Sequence, residues 1–294
     1  DLFGEKPLYY AVANGCVLIS SEIRALIASR LMQPVLARDS VDAYLALGYV
    51  PPHRTIYANV HTLPPAHCLE WTSAEPRITR YWSPQPTATR DMSLSEAGET
   101  LRDVLRRAVQ RQMVADVPVG AFLSGGHDSS NIVAYMSELS GRPIKTFSVG
   151  FGPHVNELPY ARRIAELYGT DHHELDLAEP EVAPLLERMA EVYDEPFSDP
   201  SHVPTYVVSQ FARRQVKVVL TGDGADELFG GYAWYPLLAM SERVPTSVLA
   251  WMVLRSASRL IADRVVPLSS YSRAMGMAVR WPDMWQRYVI SRQI

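Results

Sequence analysis

The spacing of hydrophobic and polar residues changes once along the chain. Over residues 1–82, short apolar runs such as YYAVA and CVLIS alternate with turns, which is typical of antiparallel β-strands. Two stretches in this part, SSEIRALIAS and SVDAYLALGY, have the spacing of helices instead. Residues 83–93, SPQPTATRDMS, are rich in Pro, Ser and Thr and predict a linker. The chain therefore begins with a β-rich segment, which this linker separates from the rest of the chain.

After the linker, predicted strands alternate with predicted helices. An amphipathic helix over 94–113, with Ser95 as its expected N-cap, precedes the apolar run VPVGAFLS. Further strands are predicted in IKTFSVGF, HHELDL and VKVVLTG, with helices between them. This alternation predicts an α/β fold with a doubly wound parallel sheet, which binds ligands at the carboxyl ends of its strands. Residues after about 236 have helical spacing and carry no motif.

The segment FLSGGHDSS, residues 122–130, lies where the first of these strands leads into a helix. Gly125 and Gly126 allow the backbone to approach a ligand, and the amides of a helix N-terminus bind anions. Hydroxyl donors are added by Ser124, Ser129 and Ser130. A carboxylate at Asp128 would repel a phosphate unless a cation lies between them, so it favours a polyphosphate bound to Mg²⁺. The alternative is that Ser124 or Asp128 caps the helix and the glycines form a tight turn.

A second polar loop, LTGDGADELFGGY at residues 220–232, comes after the strand VKVVL. Three carboxylates, those of Asp223, Asp226 and Glu227, lie within five residues among glycines. Their repulsion destabilises a turn unless a cation compensates, so the loop predicts metal binding that complements the first loop. The alternative is a solvated acidic turn.

These segments resemble a known family. GAFLSGGHDSS, NELPYARRIAELYGTDHHELDL, EPFSDPSHVPTY and LTGDGADELFGGY are similar to the synthetase domain of glutamine-dependent asparagine synthetases. Within the first of them, SGGHDS matches the PP-loop of ATP pyrophosphatases, S-G-G-x-D-S. The start, DLFGEKPLYYAVANGCVLISSEIRALI, is similar to the end of the glutaminase domain of that family.

The resemblance implies a PP-loop, HUP-like parallel sheet preceded by the β-rich C-terminal part of an N-terminal-nucleophile glutaminase domain. The glutaminase part would cover residues 1–82 and the linker 83–93. The ATP-binding synthetase domain, truncated at its C-terminus, would cover 94–294.

The resemblance also implies a reaction. In the family, the side-chain carboxylate of aspartate attacks the α-phosphorus of Mg-ATP, which gives β-aspartyl-AMP and pyrophosphate. Ammonia taken from glutamine then displaces AMP and yields asparagine. ATP and Mg²⁺ would be the cofactors, and the partners would be small molecules: ATP, aspartate and ammonia.

The motif matches also imply roles for individual residues. The pyrophosphate would be held by Ser124, Gly125, Gly126, Asp128, Ser129 and Ser130, with Asp128 acting through Mg²⁺. The adenine end would be lined by Phe122, Leu123 and Val149, with Thr221 and Gly222 near the nucleotide. Asp226 would be the second Mg²⁺ ligand. Asp223 stands at a position beside the acyl-adenylate where the family often has Glu. The resemblance thus implies three catalytic candidates: Asp128, Asp223 and Asp226.

Composition limits the other partners. The formal charge of −4 and the scattered arginines predict no nucleic-acid partner and no membrane partner, and a homodimer is left open. Cys16 and Cys68 form no disulfide or metal pattern, and no signal peptide is visible, which favours a cytoplasmic location.

We expect the chain to be a piece of a longer protein. It starts at Asp1, and it lacks the N-terminal cysteine and the later lysine-bearing segment of the family. We therefore expect no glutaminase activity from it, with Cys16 and Cys68 at least half buried in strands. His127, at the variable PP-loop position, is expected to be an exposed residue without a role.

Two other functions stay open on sequence grounds. A relative with this scaffold could adenylate a different acid and close a β-lactam or peptide ring. A non-catalytic nucleotide-binding module is the second alternative. The residues do not identify the acid.

Overall fold

A computed structural model describes residues 1–72, 75–85, 90–152, 156–177, 179–232 and 235. They belong to two compact units, residues 1–40 with 51–223, and residues 41–50 with the described residues from 224 on. The elements in chain order are β1 (Tyr9–Ala13), β2 (Cys16–Ser20), α1 (Ile23–Ala28), α2 (Arg38–Leu47), β3 (His61–Thr62), β4 (His67–Trp71), β5 (Pro76–Arg80), α3 (Leu94–Gln112), β6 (Val119–Phe122), α4 (His127–Leu139), β7 (Lys145–Gly150), α5 (Leu158–Tyr168), β8 (Asp171–Asp176), α6 (Glu179–Val192), α7 (His202–Ala212), β9 (Val218–Leu220) and α8 (Ala225–Phe229). The helices predicted beyond 236 lie outside the described residues.

Antiparallel strands form the β-rich segment, as its alternating pattern predicts. β1 pairs with β2 and β3, and β4 pairs with β5. Asn14 and Gly15 both have positive φ, at 53° and 73°, which suits a two-residue hairpin turn between β1 and β2. α1 covers the three-stranded sheet, burying Ile23 and Leu26 against Ala11 and Val60. None of the helices in the described part of the chain is long and apolar enough to cross a bilayer.

The parallel sheet has the order β8-β7-β6-β9, with helices on both faces. On one face, Ala121 and Leu123 pack with residues of α3, α4 and α5. On the other, Phe147 packs with Ala212 of α7. The doubly wound α/β fold predicted from the alternating pattern is thus confirmed.

The strand order creates a switch point at β6. The chain runs outward from β6 through β7 to β8, and then returns to place β9 on the opposite side of β6. In open α/β sheets, ligands bind outside the carboxyl ends of the strands where the winding direction reverses. The loops after β6 and β9 are the two polar loops identified in the sequence.

The start of α3 differs from the prediction. Its N-cap is Ser93, not Ser95, because Ser93 and Glu96 form a capping box. The Glu96 N–H donates to Ser93 Oγ at 3.3 Å, and the Ser93 N–H donates to the Glu96 carboxylate at 2.9 Å. The Ser93 hydroxyl also donates to this carboxylate, at 2.9 Å, and the two hydrogen bonds that Ser93 donates to it lower the pKa of Glu96. Ser95 has glycine at the corresponding third position and cannot form this pair.

The predicted burial of the cysteines is wrong. Both lie in strands, but Cys16 and Cys68 are exposed free thiols. Cys16 directly follows the hairpin turn on an edge strand, and Cys68 lies in a two-stranded ribbon with little covering. Burial therefore gives no support to the expectation that this chain lacks glutaminase activity.

Candidate functional site

The loop after β6 brings backbone amides to the carboxyl edge of the sheet. The Leu123 N–H donates to the Phe147 carbonyl at 2.9 Å, which extends the β6–β7 pairing up to the loop. Gly125 has φ +82°, and a Cβ there would lie 2.6 Å from the backbone carbonyl carbon of Tyr160. Only glycine fits this position, because both the conformation and the contact exclude a side chain. The loop is thereby held against the start of α5.

The N-cap of α4 is Gly126, and no side chain caps this helix. The alternative in which Ser124 or Asp128 acts as a helix cap is therefore wrong. The amides of the first turn of α4 have no acceptor within the helix, and the helix dipole adds to their attraction for anions. His127 begins the helix and is exposed, and its carbonyl accepts from the Asn131 side chain at 2.9 Å.

Three serine hydroxyls accompany these amides. The hydroxyls of Ser124 and Ser129 are hydrogen-bonded to each other at 2.9 Å, and Ser124 Oγ accepts from the Gly126 N–H at 3.2 Å. The Ser130 hydroxyl is buried without a partner among the residues that the structure describes. A buried polar group without a partner costs free energy, so this hydroxyl suits a ligand that accepts a hydrogen bond.

We expect Ser130→Ala to weaken ATP binding about 10- to 150-fold, the value of one hydrogen bond to a charged group, without loss of stability. Removing a hydroxyl that has no described protein partner should leave the free energy of unfolding unchanged or slightly raised. Ser137→Ala is the matched control, because Ser137 lies further along α4 and its hydroxyl is also buried without a described partner. Calorimetric titration with ATP measures the effect. Equal affinities of the two variants would exclude Ser130 from the ATP site.

The residues predicted for the adenine end lie together. Phe122, Leu123, Ser124 and Val149 line one cavity of about 150 Å³ beside the loop. Other residues complete its walls: Phe147, Ser148, Glu157, Pro204, Thr205 and Val208. Ser148 is buried and donates to the Leu123 carbonyl, which fixes the strand end. Two larger cavities, of about 520 and 410 Å³, lie elsewhere and contain no predicted site residue.

Sequence reasoning missed the contribution of α7 to this cavity. Pro204 and Thr205 belong to the segment EPFSDPSHVPTY, which supports the family resemblance but suggested no role for them. Its apolar spacing predicted only a helix. The start of this helix lies beside the loop after β6 because of the strand order of the sheet. The spacing of apolar residues does not predict strand order.

The loop after β9 touches the start of α4. A Cβ at Gly222 would lie 2.8 Å from both Asp128 Cβ and the Ser129 amide nitrogen, so the glycine permits this approach. Thr221 Oγ1 accepts from the Asp223 N–H at 3.4 Å, and the Asp223 side chain is exposed. Residues 221–222 are therefore placed directly beside Asp128, at the switch point of the sheet.

Asp226 and Glu227 lie in the first turn of α8, which belongs to the second unit. The Asp226 carbonyl accepts from the Gly231 N–H at 3.0 Å, and the Glu227 carboxylate accepts from the Tyr232 hydroxyl at 2.5 Å. Within the described ranges, no three His, Cys, Asp or Glu side chains are grouped so as to hold a metal ion. The metal roles of Asp128 and Asp226 stay predictions.

The fold and site define a doubly wound α/β protein with a loop of backbone amides and serine hydroxyls at its switch point. The asparagine synthase family model matches residues 100–291, and the model of the glutamine amidotransferase domain matches residues 1–82. The chain belongs to the asparagine synthase family, as its motifs predicted.

Named relatives agree with this membership. A putative glutamine-hydrolysing asparagine synthetase 2 of Methanocaldococcus jannaschii is 37% identical over 240 residues, which cover 79% of this chain and 46% of that protein. The glutamine-hydrolysing asparagine synthetase 1 of Bacillus subtilis is 34% identical over 255 residues, covering 84% and 40%. The chain thus spans less than half the length of these relatives. The structure of NMN synthetase from Francisella tularensis overlaps with 48% of this chain and 59% of its own at 19% identity, with a TM-score of 0.33.

Proposed function

We propose that this chain carries the ATP-binding part of an enzyme that converts aspartate into asparagine. A carboxylate oxygen of the aspartate side chain attacks the α-phosphorus of ATP, the bond to the β-phosphate breaks, and pyrophosphate leaves. Ammonia then attacks the acyl carbon of β-aspartyl-AMP, and AMP leaves with that oxygen. The observation that carries the proposal is the uncapped start of α4 at the switch point, with the buried Ser130 hydroxyl beside it.

The loop after β6 stabilises the leaving pyrophosphate. The amides at the start of α4 and the hydroxyls of Ser124, Ser129 and Ser130 donate to its oxygens as negative charge develops there. Such donors are fixed before the reaction and need no reorganisation, which is the main advantage of an electrostatic site. Phe122, Leu123 and Val149 enclose the adenine, and Thr221 with Gly222 borders the phosphates.

The carboxylates complete the charge balance. Asp128 lies beside amides that attract phosphate, so a divalent cation bound by this carboxylate would balance the charge of the phosphates. Mg²⁺ would be held by Asp128 and, as the resemblance implies, by Asp226, and it supplies neutralisation of phosphate charge. Asp223 faces the acyl-adenylate in this proposal.

The remaining assignments rest on the family resemblance. Residues 1–82 are the end of a glutaminase domain, 83–93 a linker, and 94–294 part of the synthetase domain. The ammonia comes from glutamine hydrolysed by that glutaminase domain in the whole protein.

The experiment that tests the proposal is pyrophosphate–ATP exchange, with aspartate compared against other carboxylic acids. We expect exchange that depends on aspartate, because acyl-adenylate formation is reversible. Exchange with a different acid alone would favour a ring-closing relative. ATP binding without exchange for any acid would favour the non-catalytic module.

Asp226→Asn should raise the Mg²⁺ concentration needed for half-maximal exchange, by about 10-fold or more. An amide oxygen is a weaker ligand for Mg²⁺ than a carboxylate, while the shape of the side chain is kept. Glu227→Gln is the control on the same helical turn, and it should shift the titration less. A Mg²⁺ titration unchanged by Asp226→Asn would remove this residue from the metal site.

A further inference from the structure

The start of α1 is capped by Asp194, which follows α6, and the end of α6 is capped by Arg24 of α1. α1, in the β-rich segment, has no side-chain cap of its own at Glu22. Instead, the Ile23 N–H donates to Asp194 Oδ2 at 2.5 Å. Arg24 in turn donates to the carbonyls of Glu191 and Val192 at the end of α6, each at 2.5 Å. An acid at a helix start and an arginine at a helix end are both favourable to the helix dipole.

A salt bridge joins the two caps. Arg24 Nε donates to Asp194 Oδ1 at 2.7 Å, and the Asp194 side chain is only 12% exposed. Both carboxylate oxygens of Asp194 therefore bind partners in α1. Removing this carboxylate leaves the Ile23 amide and the Arg24 guanidinium without this acceptor. The loss costs free energy because the site is largely shielded from water.

The neighbouring residue makes a further contact to the same segment. Glu195 Oε1 accepts from the Ile56 N–H at 2.6 Å. Burial raises the pKa of Glu195, although the hydrogen bond from Ile56 acts in the opposite direction. Residues 194–195 are thus held by the β-rich segment at both α1 and Ile56.

The same short stretch of chain leads to the proposed nucleotide cavity. The Tyr193 hydroxyl donates to the His202 carbonyl at 3.1 Å, and its ring packs on Phe197 with centroids 4.8 Å apart. His202 begins α7, whose Pro204 and Thr205 line the cavity next to Ser124. A displacement of residues 193–195 would therefore move the start of α7 against the loop after β6.

We propose that Arg24, Asp194 and Glu195 are positioning residues, through which the β-rich segment holds α7 in the place that completes the ATP cavity. This inference rests on the proposed function in so far as the cavity is taken to bind ATP. None of the three residues lines the cavity itself, and their effect passes through Tyr193 and His202.

The test measures ATP affinity by calorimetric titration with a non-hydrolysable ATP analogue, together with thermal unfolding. Asp194→Ala should weaken binding about 10-fold. Asp194→Asn should recover part of the affinity, because its amide oxygen can cap Ile23. Its NH2 group cannot accept the second hydrogen bond, from Arg24. Arg24→Lys should give an intermediate loss, since one ammonium cannot reach the carboxylate and both carbonyls.

Two controls separate positioning from simple loss of stability. Glu22→Ala removes only the exposed contact to Arg24, at 3.5 Å, and should leave the affinity unchanged. Ser93→Ala removes the capping box of α3, which lowers stability, and should also leave the affinity unchanged. The inference is overturned if Asp194→Ala lowers the unfolding temperature yet binds the analogue like the unaltered protein. If Asp194→Ala does not fold, the affinity of Arg24→Lys decides by the same criterion.

The same measurements test the proposed function separately from the positioning roles. If the unaltered protein binds the analogue but shows no exchange with aspartate, the proposed reaction is wrong, and the affinities still decide the positioning roles. If the unaltered protein does not bind the analogue, the positioning of an ATP cavity is wrong as well.

Discussion

Asp128→Asn is expected to reduce aspartate-dependent pyrophosphate exchange by about 10²- to 10³-fold, or roughly 3–4 kcal/mol at the transition state. The substitution keeps the shape of the side chain but removes the charge that, in the proposed function, would hold Mg²⁺ near the phosphates. The fold should be retained, because α4 is capped at Gly126 without any side chain. The rate of exchange at saturating ATP and aspartate measures the effect.

Glu138→Gln provides the matched control for this variant. Glu138 is an exposed acid on the same helix, paired with Arg106 at 2.8 Å, and such exposed pairs contribute about 0–1 kcal/mol. It should leave the exchange rate unchanged. Near-normal exchange in Asp128→Asn would show that this carboxylate does not act at the reacting phosphates.

Gly125→Ala is expected to abolish most of the exchange activity, by about 10²-fold or more, and to lower the stability of the fold. An alanine at φ +82° loses about 1–2 kcal/mol to the left-handed conformation. Its Cβ would in addition lie 2.6 Å from the Tyr160 backbone, which cannot yield as a flexible side chain could. The loop must therefore move away from α5, and the amides at the start of α4 move with it.

Gly15→Ala separates the two causes. Gly15 also has positive φ, at +73°, but a Cβ there meets nothing within 4 Å. This variant should show the conformational cost in thermal unfolding and keep its exchange activity. If Gly125→Ala kept its activity as well, the close packing of this loop would have no part in catalysis.

The strand and helix that position the site could be predicted from the sequence, because each depends on the pattern of apolar and polar residues within a short stretch of chain. The apolar run ending at Phe122 and the small polar residues after it predicted a strand end and a helix start, and the structure has both. The capping pair Ser93 and Glu96 was equally readable, since an S-x-x-E pattern is present, although the prediction placed the cap at Ser95. The residues that form this helix cap could be identified from the sequence, even though the prediction chose the wrong serine.

Contacts between residues that are distant in the chain could not be predicted from the sequence pattern. Any of the other apolar strands could have paired with β6, so nothing in the spacing placed the Gly222 loop against Asp128. The contact of Arg24 with Asp194 spans 170 residues of chain and joins two segments that had no separate reason to meet. The exposure of Cys16 was missed for a similar reason, because alternation does not say whether a strand lies at an edge.

In the proposed reaction, a carboxylate of aspartate attacks the α-phosphorus of ATP at the loop after β6. The direct measurement is transfer of ¹⁸O from aspartate labelled at both side-chain carboxylate oxygens, with ammonia supplied and the products analysed by mass spectrometry. We expect one ¹⁸O atom in each AMP released and the other in the side-chain amide of asparagine, with no label in pyrophosphate. Label in inorganic phosphate beside ADP would show attack at the γ-phosphorus, and unlabelled AMP would show that aspartate is not the nucleophile; either result would contradict the proposed reaction.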